Sequence, residues 1–148
     1  MTTGGAGNGR LSFELKNELA EMDALAETLE RFCDAHRIGP DVLSVVNLAL
    51  EEIVTNIISY GYGGEGGDHR IRIDLAHDGQ SITARIEDDA TAFDPLQKEA
   101  PDTSAPLEER GIGGLGIHLV KTLMDEVRYS REDGRNVLFI RKTTAAQA

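Results

Sequence analysis

The sequence predicts an α+β fold, a two-layer sandwich in which helices cover one face of a mixed, mainly antiparallel sheet. Two stretches alternate apolar and polar residues around an Asp-Gly turn. Ile71, Ile73 and Leu75 precede Asp78-Gly79, with Ile82, Ala84 and Ile86 after it; Val127 and Tyr129 precede Asp133-Gly134, with Val137, Leu138, Phe139 and Ile140 after it. Both read as β-hairpins. Two further stretches, 16–36 and 41–61, repeat apolar residues at helical spacing. At 148 residues the chain suits one domain, which at that length buries about 70% of its unfolded surface.

The formal net charge of −11 is spread along the chain, which favours solubility and argues against a nucleic-acid or anionic-membrane footprint. A basic protein partner is compatible with it. Cys33 is the single cysteine, the N-terminus lacks the basic-then-apolar order of a signal peptide, and no uninterrupted apolar run approaches the ~20 residues of a membrane span. The expected location is the cytoplasm, without membrane or direct nucleic-acid contact.

Residues 1–9, rich in Gly, Thr and Asn, read as a disordered leader; 10–143 as the single domain; 144–148 as a polar tail. Leu11, Phe13 and Leu15 alternate with polar residues, the mark of an edge strand. Leu19, Met22, Leu25, Ala26, Leu29, Phe32 and Cys33 then form an amphipathic helical stripe. Cys33 lies in the stripe and reads as a packed thiol, with no His or Lys placed to activate it.

Pro40 and Asp41 open the second helix, whose apolar face is Leu43, Val46, Leu50, Ile53, Val54 and Ile57. Glu52 and Asn56 lie on a neighbouring face about 40° apart, whereas Glu51 is about 140° from Asn56. Helical geometry alone therefore pairs Glu52 with Asn56. Residues 60–68 hold five glycines but lack the Gly-Lys-Ser/Thr end of a P-loop, and read as a flexible linker.

In the first hairpin the period of two puts Asp88 on the side of Ile82, Ala84 and Ile86, and Asp89 on the other. A carboxylate on an apolar face needs hydrogen-bond donors or a ligand. The segment 89–110, with Pro95, Pro101 and Pro106, lacks periodicity and reads as a lid or binding loop. It runs into glycines at 111–116 and then a short helix with Leu119, Val120, Leu123 and Met124, an arrangement suited to an anion at a helix N-terminus. The hexapeptide also satisfies G-x-G-x-x-G. A dinucleotide fingerprint, however, follows a strand and opens a parallel βαβ unit, and here an antiparallel hairpin follows instead.

Three motifs in this order and spacing resemble the nucleotide boxes of the GHKL ATPases. They are Glu52-x-x-x-Asn56, Asp88-x-Ala90-x-x-Phe93-Asp94-Pro95, and Gly111-x-Gly113-Gly114-Leu115-Gly116-Ile-His-Leu. Within that superfamily, whose ATP-binding fold is of the Bergerat type, they are most similar to the anti-sigma factor serine/threonine kinases of bacterial partner switching. The resemblance implies ATP and Mg²⁺ as cofactors, with Asn56 holding the metal at the phosphates and Glu52 as general base on a substrate serine. It implies that Asp88 accepts from the adenine amino group, with Ala90 and Phe93 beside it, and that Gly111, Gly113, Gly114, Leu115 and Gly116 line the phosphates. Arg110 is implied near the γ-phosphate, and Asn136, where relatives often carry Thr, on the adenine side through water.

By the same resemblance the partners are a STAS-domain anti-sigma factor antagonist, phosphorylated on serine, and a sigma factor that the protein sequesters as a homodimer. Two positions depart from the pattern. Ala90 stands where Gly is usual, so a positive φ there would be penalised, and Tyr60 stands where relatives often have His or another polar residue. A second function is compatible with Ala90 and the long segment after it: a regulatory module that uses ATP to set its shape and captures a partner without phosphorylating it. A sensor histidine kinase fits less well, because His36, His69, His77 and His118 lie in no dimerising phospho-acceptor segment. His118, at the start of the third helix, reads as a packing or surface residue.

Overall fold

The structure, a computed structural model, describes residues 2–7, 9–61, 69–92, 94, 96 and 114–144. Six strands form one sheet: β1 (Thr2–Gly7), β2 (Arg10–Lys16), β3 (Arg70–His77), β4 (Ser81–Asp88), β5 (Glu126–Glu132) and β6 (Arg135–Thr143). The helices are α1 (Met22–Ala35), α2 (Pro40–Asn56) and α3 (Gly114–Leu123). Spatial order across the sheet is β1-β2-β3-β4-β6-β5, and every pairing is antiparallel. The sheet is thus antiparallel throughout rather than mixed, because each neighbouring pair except β2–β3 and β4–β6 is joined by a tight turn, and those two also run in opposite senses.

Period-two alternation sets the core. Phe13, Ile73, Ile86, Leu138 and Tyr129 lie opposite one another in a row across five strands, and Leu11, Leu75, Ala84, Ile140 and Val127 form the next row. Against this face pack Leu25, Leu29, Phe32 and Cys33 of α1, Val46, Leu50, Ile53 and Val54 of α2, and Ile117 and Val120 of α3. The opposite face is charged. There Asp74, Arg85, Glu87, Glu126, Arg128 and Arg141 form a lattice of ion pairs, and Arg128 also lies over the Phe139 ring.

Residues 2–7, read from sequence as part of a disordered leader, are instead an edge strand paired to β2 with an irregularity between Gly4 and Ala6. The backbone ladder can be filled by residues of low strand propensity when a partner edge is available. Gly9 makes the turn, with φ of 76°, and its carbonyl oxygen accepts from the His77 N–H at 2.7 Å. A Cβ there would collide with the His77 carbonyl oxygen. The first helix begins later than periodicity suggests: Lys16 stays in β2, and a 3₁₀ turn at Leu19–Glu21 precedes α1.

Pro40 occupies the first turn of α2, where its missing N–H costs nothing. The stretch Pro40–Ser59 is long and apolar enough by composition to cross a membrane, although polar residues interrupt it. Its Val46, Ala49, Leu50, Ile53 and Val54 are buried in the core between α1 and α3. After Asn56 the helix widens into a π-helical turn over Ile57–Gly61. Such turns mark functional positions more often than chance.

Candidate functional site

α2 delivers the first pair of polar groups. Glu52 and Asn56, one helical turn apart, are half-buried while Glu51 is exposed, as their angular positions require. The Asn56 side-chain Nδ2 donates to Glu52 Oε1 at 3.3 Å. That bond orients the carboxylate and turns the amide oxygen of Asn56 away from it. A single neutral oxygen is a suitable ligand for Mg²⁺, which takes one or two protein ligands and fills its shell with phosphate oxygens and water. Among the described residues no cluster of three His, Cys, Asp or Glu side chains could itself hold a metal.

The second group stands at the end of β4. Asp88 is 4% exposed, on the apolar side that alternation assigns to it. Its Oδ1 accepts from the Ala90 backbone N–H at 2.9 Å and from Asn136 Nδ2 at 3.0 Å. Neither bond goes to Oδ2. Burial raises the carboxyl above its ordinary range, and the Asn136 and Ala90 hydrogen bonds oppose that rise. The arrangement is a desolvated acceptor with one oxygen held and the other available to a donor.

Asn136, 8% exposed, sits directly opposite Asp88 on β6. Its Nδ2 also reaches the Thr91 carbonyl at 3.0 Å and the Ala90 carbonyl at 3.4 Å. Two residues of β5 complete the network, neither singled out from sequence. Tyr129 donates its hydroxyl to Asn136 Oδ1 at 2.5 Å, and Arg131 Nη1 donates to the Ala90 carbonyl at 2.9 Å. The signal was present in the alternation of Val127, Tyr129 and Arg131, which places a phenol and a guanidinium on the core side at the sheet's end, where each needs a partner.

Ala90 joins the two groups. It is 4% exposed and absent from the residues with positive φ, so its Cβ carries no backbone penalty. A Cβ built on Gly61, in the π-helical turn after Asn56, would stand 3.2 Å from Ala90 Cβ. The turn that follows Asp88 therefore packs against the turn that follows Asn56.

Of the remaining expected site residues, Gly114, Leu115 and Gly116 open α3, which starts earlier than its apolar repeat suggests. Their N–H groups belong to the first turn, where the helix leaves donors unpaired. Phe93, Arg110, Gly111 and Gly113 lie outside the described residues, as does the Tyr60 side chain. Among the described residues, the buried His118 Nε2 has no hydrogen-bond partner. Cys33 is buried in α1, and burial pushes its thiol up to about 11, consistent with packing rather than reactivity.

A model of the histidine kinase-like ATPase domain matches residues 15–142. The chain is 27% identical over 140 residues to the serine/threonine-protein kinase BtrW of Bordetella bronchiseptica, covering 90% of this chain and 98% of that protein. It is 32% identical over 110 residues to the serine-protein kinase RsbW of Bacillus cereus, covering 70% and 68%. Among solved structures it is similar to the RsbU and RsbW domains of a Mycobacterium tuberculosis protein, with a TM-score of 0.67 over 95% of this chain and 34% of that one. Sequence identity there is 14%, so the likeness concerns the fold.

Proposed function

The chain belongs to the histidine kinase-like ATPase domain family, on its RsbW and BtrW serine kinase branch, and from that premise we propose a partner-switching kinase. It transfers the γ-phosphoryl of ATP to a serine of a STAS-domain anti-sigma factor antagonist, and in its other state sequesters a sigma factor. Mg-ATP supplies the phosphoryl group and the charge neutralisation around it.

On this reading Glu52, oriented by Asn56, takes the proton from the substrate hydroxyl. Asn56 would hold Mg²⁺ through its amide oxygen. Asp88 accepts the adenine amino group on Oδ2, Asn136 borders the base, and Ala90 and Phe93 lie beside it. Gly111, Gly113, Gly114, Leu115 and Gly116 would hold the phosphates through backbone N–H groups, and Arg110 would meet the γ-phosphate.

The observation that carries this reading is the packing of Gly61 against Ala90. It brings the turn after the Glu52–Asn56 pair against the turn after the buried acceptor Asp88, which supports reading the two as parts of one site. The alternative, capture without phosphorylation, rests on Ala90 as a substitute for glycine and on the long segment after it; Ala90 has no positive φ, and residues 97–113 lie outside the described residues.

The test is incubation with Mg-ATP and a candidate antagonist, read by mass spectrometry. The expected result is a gain of one phosphate on a serine, slowed by about 10²–10⁴-fold in Glu52→Gln. Full transfer by that variant would remove Glu52 as base. Tight capture of the antagonist with no phosphate gain at saturating Mg-ATP would favour the binding module.

A further inference from the structure

The network at the end of the sheet contains a donor chain that the proposed roles leave unused. Asn136 has two amide hydrogens and an oxygen to satisfy in a buried setting. Its Nδ2 faces three oxygens, Asp88 Oδ1 at 3.0 Å, the Thr91 carbonyl at 3.0 Å and the Ala90 carbonyl at 3.4 Å. Its Oδ1 faces the Tyr129 hydroxyl at 2.5 Å. An amide oxygen can only accept, so the phenol donates. Reversing the amide would set oxygen against three oxygens and leave the phenol proton facing an NH₂ group.

We propose that Tyr129 is a positioning residue for base recognition: through Asn136 it fixes Asp88 so that Oδ2 alone is presented to an exocyclic amine of a purine. This rests on the reading of Asp88 as the adenine acceptor. Strand geometry makes the chain possible. Arg131, Asn136 and Asp88 are direct cross-strand neighbours, and Tyr129 lies diagonally one pair inward, within reach of an aromatic side chain. Its ring packs against the core while its hydroxyl reaches the sheet's end. Arg131 braces the same turn from the other side by holding the Ala90 carbonyl. Both hydrogen bonds to Asp88 therefore converge on Oδ1, and donor direction runs from Tyr129 to Asn136 to Asp88.

A tyrosine that merely filled space would lower thermal stability when changed and leave base recognition alone. The positioning role predicts otherwise. With the full chain and a ribose-labelled fluorescent ATP as probe, Tyr129→Phe should raise Kd about 3- to 10-fold, the effect of losing one buried hydrogen bond. The acid limb of binding should also move to higher pH. Burial raises the Asp88 carboxyl, and Asn136, the Ala90 N–H and Arg131 oppose that rise while Asp89 adds to it. Loosening the Asn136 bond removes the largest opposing contribution and leaves the others in place.

A double-mutant cycle separates the relay from general destabilisation. On an Asn136→Ala background, Tyr129→Phe should cause no further rise in Kd. Additive losses, or a Tyr129→Phe protein with wild-type Kd and acid limb, would overturn the proposal. Asp88→Asn is the control for the reading beneath it. If that variant binds the probe as tightly as wild type, the Asp88 assignment fails and the relay with it; if it loses binding while Tyr129→Phe is unaffected, only the Tyr129 role fails.

Discussion

Burying a carboxylate at the end of an apolar strand costs the fold stability wherever the group is ionised, and Asp88 retains that cost at the proposed adenine site. Its folded-state titration lies above the ordinary carboxyl range because of burial. The native state therefore holds the proton longer than the unfolded chain does. Linkage then makes the contribution of Asp88 fall as pH rises from its unfolded value through the raised folded one, and stay low above it. Asp88→Asn can keep one oxygen facing the Ala90 N–H and Asn136, removes the charge, and puts an NH₂ donor where Oδ2 stood. The unliganded variant should be more stable than wild type at neutral pH, with the advantage vanishing in acid, as thermal melts across pH would show. It should meanwhile bind ATP about 10- to 100-fold more weakly, the loss expected for a hydrogen bond to a charged group. Angles on a helix distinguish Glu52 from Glu51, and alternation on a strand distinguishes Asp88 from Asp89, so this much of the site is legible in sequence. For Tyr129 and Arg131 alternation gives only the core side of the strand; their partners, the Asn136 side chain and the Ala90 carbonyl, are set by the fold.

At the scale of elements, the turns were the most legible features, since they depend on local chemistry. Asp133 and Gly134 both have positive φ, 51° and 77°, as a tight hairpin turn demands. The Asp78 side chain caps its own turn by accepting from the Gln80 and Ser81 N–H groups, each at 2.8 Å. The edge strand β1 was not legible, because its order comes from pairing with β2 rather than from its own residues. The end of α1 carries a local strain. Arg37 adopts φ of 58°, with Ile38 N–H bonded to the Cys33 carbonyl and Arg37 N–H to the Asp34 carbonyl. This is a Schellman ending in which the left-handed position usually belongs to glycine. Ile38 is 7% exposed, so the motif is anchored by a hydrophobic contact and the arginine must accept the strained backbone. Arg37→Gly should raise stability by about 0.5–1 kcal/mol, the gain from relieving a left-handed Cβ less the added freedom of the unfolded chain. Urea denaturation would detect it as a higher midpoint at unchanged slope.

For the whole molecule, the core cluster is continuous from β2 through β6 and includes all three helices, so none of them has a hydrophobic interior of its own. A single cooperative transition is therefore expected, with far-UV circular dichroism and tyrosine fluorescence melting together. That would support 10–143 as one domain. Ligand linkage then reaches the whole fold through the site. The residues proposed to meet the nucleotide come from α2, the end of β4, β6 and the start of α3, elements far apart in sequence that the native state brings together, so on that reading the unfolded chain offers a nucleotide no assembled site. At an ATP concentration 100 times Kd, a ligand that binds only the native state adds about 2.7 kcal/mol. For a domain of this size that corresponds to a rise in Tm of roughly 5–10 °C. Asp88→Asn, tested at the same ATP concentration, should lose about half of the shift or more while starting from an equal or higher unliganded Tm. Opposite signs in the two measurements would separate a site residue from a structural one, since a structural change lowers the unliganded Tm first.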